Sequence, residues 1–459
     1  MAYIVNKYIL GVLVPILLIG AGVYFTLYLK GFHVLRPMRL IKQLMTKKEP
    51  GDVSPFRALT LALAGTLGVG NIVGVSAAIV LGGFGSIFWM WISALCAMIL
   101  KYAEVVLAMN HRRSDKNGQL HGSAMYYIND IFANIKLRRT GFVLSLIFAT
   151  LCILNAVSMG GMIQSNAVTD AVTNALDIPP LILGAIISLL CFFVISKGSK
   201  AISGFTEILV PIMSVGYVIL SLAAIIIRID MLPEALCAIV KDAFTPSSAI
   251  GGTVGFFLSD TLRYGCTRGL ISNEAGCGTA PMAHCSTTSR NAALQGIYGI
   301  VEVFVDTIVL CTMTALVVII NYNELDEGQS FLMLTFDAYA NTLGSFAYVF
   351  LTVAVVCFGF ATILCFGHYG IETANYFSTK KKYKTLFTVG YSASVFLGAC
   401  FSAEFIWNIA DIAIGTMTVI NVFAILIARK EIKKETEIFI IESKNSKRIK
   451  KIKNIQKKC

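Results

Sequence analysis

The stretch AGTLGVGNIVGV, residues Ala64–Val75, decides the fold because it places four glycines inside a long apolar run. Each glycine lowers helix preference by about 1 kcal/mol relative to alanine. If the run crosses a lipid bilayer, non-helical backbone survives there only around a protein-lined cavity. Two interpretations follow: close helix packing at the G-x-x-x-G spacing of Gly70 and Gly74, or a helix break that serves function.

The composition is that of an all-α polytopic membrane protein. Of the 459 residues, 56% are hydrophobic and 14% are charged, whereas soluble domains carry about 25% charged residues. Apolar runs recur at the length of about 20 residues that crosses a bilayer as a helix. We predict about eleven transmembrane helices, the first of them a retained span, near residues 8–29, 58–82, 84–109, 141–166, 180–196, 204–228, 265–288, 294–320, 343–368, 385–401 and 405–428.

The loops predict the orientation. Loops 30–57 and 110–140 are basic, as are the later alternate loops and the tail, while the intervening loops are acidic or neutral. Positive loops face the cytoplasm, so we expect a multi-pass protein of the cell membrane with its N-terminus outside and its C-terminus in the cytoplasm.

The net charge of +12 lies mainly in these loops and the tail, which argues against a nucleic-acid partner. The tail, Lys444–Lys458, is predicted to be a disordered segment attracted to anionic lipid. The twelve cysteines lack zinc-type spacing and are interpreted as small buried hydrophobes.

A second glycine cluster matches the first. The stretch SNEAGCGTAP, Ser272–Pro281, lies in span seven and the first cluster in span two, the same position in two consecutive blocks of five spans. Because five is odd, the blocks enter the membrane from opposite sides, as in inverted-repeat transporters with broken helices around a midplane site. We divide the chain into an extra N-terminal helix with its basic loop (1–57), two inverted repeats (58–249 and 250–428) and the basic tail (429–459).

The broken helices favour a zwitterionic ligand. A half-helix N-terminus presents unpaired N–H groups and partial positive charge, which suit a carboxylate. The freed carbonyls suit Na⁺ or a substrate ammonium. Thr66 and Asn71 add side-chain oxygens.

Six segments resemble those of the alanine/glycine:cation symporter family, in the family's order along the whole chain. They are GTLGVGNIVGV, GGFGSIFWMWISALCAMILKYAEVVLA, GGMIQSNAV, RGLISNEAGCGTAPMAH, VDTIVLCTMTALV and WNIADIAIGTM. The resemblance implies a LeuT-like five-plus-five inverted repeat with one extra N-terminal helix. It also implies Na⁺-coupled, sometimes H⁺-coupled, uptake of a small neutral amino acid, without an organic cofactor.

The resemblance and the two breaks together predict site residues. The substrate-binding candidates are Thr66, Gly68, Val69, Gly70, Asn71, Gly160, Gln164, Ser272, Asn273, Gly276 and Phe366. The candidate Na⁺ ligands are Asn71, Asp306 and Thr362, the last on the resemblance alone. Val69 replaces the family's usual threonine, Gly161 an asparagine and Phe366 a tryptophan. A pocket that loses a hydrogen-bonding group changes selectivity, so a larger or more apolar amino acid than alanine or glycine is an open alternative.

Charged residues within spans are costly and usually functional. Asp306 is weighed as an ion ligand against a structural hydrogen-bonding role, and Glu302 is interpreted as structural. For Glu274 a structural role is favoured over that of a proton-linked acid. Lys101 and Glu104 are spaced to form a local ion pair, and His368 is interpreted as interfacial.

Other functions remain to be separated from a Na⁺ symporter. A proton-coupled carrier and a transporter-derived amino acid sensor are the alternatives. No nucleotide-binding G-x-x-x-x-G-K-[ST] loop occurs, and neither a metal-ligand set nor a nucleophile-base pair of an enzyme stands out. A channel would usually need a repeated filter, whereas the two breaks differ in sequence.

Overall fold

The described part of the chain is almost entirely helical. The computed structural model describes residues 11–35, 54–115, 118–245, 259–325, 328–401 and 403–456. Its main helices are α1 (Val14–Tyr28), α2 (Pro55–Thr66), α3 (Val73–Gly82), α4 (Gly85–Asn110), α5 (Ala124–Asn134), α6 (Arg138–Leu176), α7 (Pro180–Ser196), α8 (Ser199–Ile227), α9 (Leu232–Ala243), α10 (Asp260–Asn273), α11 (Pro281–His284), α12 (Ala292–Ile320), α13 (Phe331–Leu343), α14 (Ser345–Phe377), α15 (Lys381–Gly398), α16 (Ala403–Ile427) and α17 (Arg429–Gln456). Within these residues, strand structure is confined to a two-residue antiparallel ribbon, Arg113–Ser114 against Leu120–His121.

The helices confirm a multi-pass membrane protein. Within the described residues, seven helices are long and apolar enough to span a bilayer alone, and α2 with α3 forms an eighth span bent by 60°. The shorter apolar α7 has the bounds predicted for the fifth span. The count of eleven also needs α10 with α11, and α15, and stays a prediction. Residues 8–10 of the first span, most of the basic loop 30–57 and the boundary at 249–250 lie outside the described residues.

The first break lies where the glycines predict it. α2 ends at Thr66, and a single 3₁₀ turn, Val69–Asn71, leads into α3. In a continuous helix the N–H of Val69 would donate to the carbonyl of Gly65, but it donates to Gln164 Oε1 at 3.0 Å. At the break, a hydrogen bond to a side chain therefore replaces the backbone hydrogen bond of a continuous helix.

The packing interpretation of Gly70 and Gly74 is wrong. A Cβ at Gly74 would meet no atom within 4 Å, and one at Gly70 would meet only the Cα of Ser272 at 3.8 Å. Glycines that pack helices closely leave no such space. These two glycines instead keep the start of α3 open.

The second break is built from left-handed backbone. Glu274, Gly276 and Gly278 have φ values of 51°, 84° and 82°, a region that glycine adopts readily and that ends helices. Glu274 Oε2 accepts the hydroxyl of Thr279 at 2.6 Å across the break, which agrees with the predicted structural role. The second half of the predicted span 265–288 is only the single turn α11, because the chain leaves helical conformation after His284.

A buried ionic network fixes the scaffold helix α4, which packs against α1, α10 and α12. Lys101 Nζ lies 3.1 Å from Glu302 Oε1 and 4.0 Å from Glu104 Oε1. The predicted local pair with Glu104 is therefore the weaker one, because α12 brings Glu302 closer. His284 Nε2 lies 2.9 Å from Glu302 Oε2, so the network joins α4, α11 and α12.

Two further predictions are corrected. α14 continues to Phe377, well beyond the predicted end at 368, so His368 lies inside a helix and is 4% exposed instead of interfacial. Residues 444–456 of the tail predicted as disordered belong to α17, which begins at Arg429. Its first turns are ordered by packing, since Ile432 and Phe439 are buried. Attraction of the tail to anionic lipid stays a prediction.

Candidate functional site

Asp306 connects the two breaks. It is fully buried in α12, where residues Phe304–Cys311 form a π-helical segment, a feature frequent at functional sites. Asn71 of the first break donates from Nδ2 to Asp306 Oδ1 at 2.8 Å. Ser272, at the end of α10, donates to Asp306 Oδ2 at 2.8 Å. One carboxylate thus accepts hydrogen bonds from both interrupted helices.

Further hydrogen bonds link the side chains around Asp306 to one another and to the first break. Asn71 Nδ2 also lies 3.1 Å from Ser272 Oγ, and Asn71 Oδ1 accepts the N–H of Gly68 at 3.2 Å. Thr307 donates to Asp306 Oδ2 at 2.7 Å and accepts from Asn273 Nδ2 at 3.1 Å. Predicted residues far apart in sequence thus form one polar cluster.

The Asp306 carboxylate has no cationic partner in the described part of the chain: no Lys, Arg or His forms an ion pair with it. A buried ionised carboxylate is costly unless a cation compensates it. The three hydrogen bonds that it accepts offset part of this cost. The site therefore favours neutralisation by a bound cation or a proton.

Gln164 of α6 forms a hydrogen bond with the backbone of the first break. Its Oε1 accepts the N–H of Val69, and its Nε2 donates to the carbonyl of Met159 at 3.3 Å. A Cβ at Gly68 would lie 2.9 Å from Gln164 Oε1 and 2.8 Å from Thr362 Oγ1. Gly68 therefore allows both polar side chains to approach the backbone of the first break closely, and a larger residue there would force at least one of them to move.

Three oxygen atoms lie close together where α2 meets α14. Thr362 Oγ1 lies 2.9 Å from the carbonyl of Ala64 and 3.0 Å from the carbonyl of Phe358. The residues Ala64 and Thr362 are buried. Three oxygens from two helices fit a hard cation, which prefers oxygen ligands.

Phe366 packs against Gly160. A Cβ at Gly160 would overlap the Phe366 side chain at 2.1 Å, so the glycine is needed for this contact. Phe366 is 1% exposed and meets Tyr369 edge to face with centroids 5.4 Å apart. Its ring is thus part of the packed wall between α6 and α14.

Two predicted residues lie apart from the polar cluster. The carbonyl of Gly276 accepts from Asn421 Nδ2 at 2.9 Å, and a Cβ at Gly276 would meet Leu18 at 3.0 Å. Gly276 therefore belongs to the packing between α1, α16 and the second break. The Thr66 hydroxyl lies 3.4 Å from the Leu63 carbonyl of its own helix and bonds to none of the cluster residues.

A cavity of about 620 Å³ opens beside the first break, within the size range of small-molecule sites. Val69, Val73 and Gly74 contribute the break and the start of α3. The cavity walls come from α6, α10, α13 and α16, with charged or aromatic side chains at Asp170, Arg263, Arg268, Trp407 and Asp411. Val69 lies both on this wall and in the break that Gln164 holds.

Sequence reasoning missed Thr307 and the Phe358 carbonyl. Thr307 is adjacent to Asp306 in the chain, so a search for hydroxyl partners beside an intramembrane acid would have found it. A backbone carbonyl leaves no signal in a sequence. Within the described residues, no group of His, Cys, Asp and Glu side chains is arranged to hold a metal ion.

Comparison with known proteins shows which proteins this chain is similar to. The model of the sodium:alanine symporter family matches residues 1–454. A sodium/alanine symporter of Methanococcus maripaludis is 34% identical over 446 residues, covering 95% of this chain and 96% of that protein. A probable sodium/glutamine symporter of Bacillus subtilis is 32% identical over 430 residues, covering 93% and 87%. A transporter of Haemophilus influenzae without an assigned substrate is 38% identical over 439 residues, covering 94% of each.

Solved structures confirm the predicted LeuT-like fold. A Na⁺-coupled sialic acid symporter, in a substrate-bound outward-open state, aligns with a TM-score of 0.52 at 14% identity. The alignment covers 86% of this chain and 82% of the symporter. At this identity the likeness concerns the fold alone.

Proposed function

Because the chain belongs to the sodium:alanine symporter family, a family of membrane transporters and not of enzymes, we propose that it couples uptake of a small neutral amino acid to the Na⁺ gradient. The single observation that carries the proposal is the position of Asp306. It is a buried carboxylate with no cationic partner in the described residues, and it receives hydrogen bonds from both helix breaks.

A cation at the cluster would link ion binding to the shape of the substrate site. Na⁺ near Asp306 compensates its charge and draws Asn71 and Ser272 into one arrangement, so that both breaks respond to one ion. The carbonyl of Ala64 and the hydroxyl of Thr362 are the second place where Na⁺ fits. Both positions use oxygen atoms, the ligands that a hard cation prefers.

The amino acid is proposed to lie between the first break and α6. Its carboxylate would face the start of α3, where unpaired helix N–H groups carry partial positive charge. Gly70 and Gly74 leave room there. The proposal for a neutral substrate is supported by the relatives named as alanine and glutamine symporters.

Selectivity is proposed to differ from that of family members with a threonine at position 69 and a tryptophan at position 366. Val69 lines the cavity and offers no hydroxyl, and Phe366 is smaller than the usual indole. A more apolar or larger neutral amino acid than glycine fits this change.

Transport would follow alternating access in the cell membrane, with the N-terminus outside and the C-terminus in the cytoplasm. Ion and amino acid bind at the breaks, and one helix bundle then rocks against the other. In that orientation the cavity beside Val69 opens on the extracellular side.

The test is uptake of labelled neutral amino acids into proteoliposomes, with an inward Na⁺ gradient and with equal Na⁺ on both sides. We expect accumulation only with the gradient. Asn71→Ala should abolish it while the purified protein stays folded and monodisperse. Accumulation driven by a pH gradient alone would establish the proton-coupled alternative, and saturable binding without flux would establish a sensor.

A further inference from the structure

The cavity beside the first break contains a cation and an anion that do not pair with each other. Arg268 of α10 and Asp411 of α16 both line it. The positive charges that act on the Asp411 carboxylate are those of Arg268 and Arg263. Nevertheless, no ion pair or hydrogen bond joins Arg268 to Asp411 in the described part of the chain.

Polar atoms of the same cavity lack partners although they are buried. They are Nε and Nη1 of Arg268, Oδ1 of Asp411 and Nε2 of Gln329. Buried polar groups in proteins are nearly always hydrogen-bonded, so each exception calls for an explanation. Leaving such a group unpaired costs about 1–3 kcal/mol, and more when it is charged.

The other charged residues that line the cavity, Arg263 and Asp170, have hydrogen-bonding partners. Arg263 lies 3.2 Å from Asp260 Oδ1 and donates to the hydroxyl of Tyr264 at 3.2 Å. Asp170 accepts from Asn174 Nδ2 at 2.9 Å. The unpaired donors and acceptor are therefore confined to Arg268, Gln329 and Asp411.

The chemistry of these unpaired groups suits the two ends of an amino acid. Arg268 and Gln329 supply N–H donors for a carboxylate, and Asp411 supplies an acceptor for an ammonium group. The guanidinium of Arg268 lies over the Trp407 ring, 4.8 Å from its centroid, which holds it in position without using its hydrogen bonds. A side chain of the ligand would then face the aliphatic wall of Val73, Ala77 and Leu81.

We propose that this cavity is a second, outer binding site for a zwitterionic amino acid, with the carboxylate on Arg268 and Gln329 and the ammonium group on Asp411. The proposal rests on the amino acid transport proposed above. Arg268 is one helical turn before Ser272 in α10, a rise of about 6 Å. The outer site is therefore stacked on the central cluster and would hold the substrate before it reaches Asn71.

Trp407 provides a direct measurement, since the chain has only three tryptophans, Trp89, Trp91 and Trp407. In a Trp89→Phe, Trp91→Phe background, tryptophan emission comes from Trp407 alone. Adding Asn71→Ala removes the central site. Titration of this protein with L-alanine and with L-glutamine should still give a saturable change for at least one of them.

The variants Arg268→Gln and Asp411→Asn should each weaken this response at least about tenfold, the effect of losing a charge-assisted hydrogen bond. The matched control is Arg228→Gln, which changes an arginine outside this cavity that has its own ion pair with Glu324 and should leave the response unchanged. Arg268→Lys keeps the charge and should retain part of the affinity, which distinguishes loss of the site from loss of folding. Propionate and ethylamine, each with one end of the zwitterion, should bind more weakly than L-alanine.

Two results would overturn the outer site. One is a Trp407 response that disappears with Asn71→Ala while the protein keeps its melting temperature. The other is an unchanged response in both Arg268→Gln and Asp411→Asn, which would limit these residues to pairing with each other when the cavity closes. If uptake by the parent protein is normal in either case, the proposed function stands; if no amino acid is bound or taken up, both proposals fail.

Discussion

Replacing Gly68 by alanine should disable the first break. The added methyl group would lie 2.8 Å from Thr362 Oγ1 and 2.9 Å from Gln164 Oε1, closer than such atoms approach. The side chain of Gln164 would have to move, and the buried N–H of Val69 would lose its 3.0 Å hydrogen bond. Leaving a buried donor unpaired costs about 1–3 kcal/mol.

If that cost falls on the conformation that binds substrate, uptake at low substrate concentration should fall roughly 5- to 150-fold, since 1.4 kcal/mol corresponds to a factor of ten. Initial uptake rates in proteoliposomes measure this, normalised to the amount of reconstituted protein. The matched control is Gly20→Ala in α1, where an added Cβ meets no atom within 4 Å, and it should transport as the parent does. Equal rates in the Gly68 and Gly20 variants would refute the requirement for close approach at Gly68.

Three further predictions concern the scaffold, the cytoplasmic side and selectivity. Lys101→Met should destabilise the purified protein by about 3–5 kcal/mol, because it leaves Glu302 buried without its cation. The melting temperature should fall in this variant and be partly restored in the double variant with Glu302→Gln. An unchanged melting temperature in Lys101→Met would contradict the network. Burial by itself lowers the pKa of His111, but hydrogen bonds to Glu431 and Asp130 outweigh this and raise it above its usual value. The stabilisation of α17 from this contact should therefore be complete below about pH 6.5 and be lost as pH rises through the raised pKa; hydrogen exchange of α17 should show this, and His111→Gln should abolish the pH dependence. Val69→Thr combined with Phe366→Trp should shift the uptake ratio towards alanine and glycine, and an unchanged ratio would mean that these residues do not set selectivity.

The sequence was informative where a residue type conflicts with its surroundings. Glycines in a membrane-spanning run predicted both breaks, and Gln164 in an apolar helix predicted a buried amide with a partner. The structure places that amide on the backbone of the first break. In each case a helix-breaking or polar residue within the membrane can be accommodated in only a few ways.

Contacts between distant segments were not predictable from one sequence. The spacing of Lys101 and Glu104 suggested a pair, but packing of α12 makes Glu302 the closer partner. The hydrogen bond from Asn71 to Asp306 crosses 235 positions, and no local pattern encodes it. The extension of α14 was missed because its last turns are polar, although the protein interior buries residues such as His368 and Thr373.

Glycine spacing was also ambiguous on its own. Gly70 and Gly74 have the spacing of a helix-packing motif, yet an added Cβ would meet nothing within 4 Å at Gly74 and only the Cα of Ser272, at 3.8 Å, at Gly70. Only the position of neighbouring helices distinguishes a glycine that allows contact from one that leaves room. The same holds for Gly276, where an added Cβ would lie 3.0 Å from Leu18; its role in substrate binding stays a prediction.

Calorimetric titration of Na⁺ into the purified protein tests most directly whether Asp306 and the two breaks form one ion-linked site. We predict saturable Na⁺ binding by the parent protein that Asp306→Asn weakens at least about tenfold and that a bound substrate amino acid strengthens. K⁺ at the same ionic strength should give no such binding. Unchanged Na⁺ affinity in a folded Asp306→Asn protein would contradict the account.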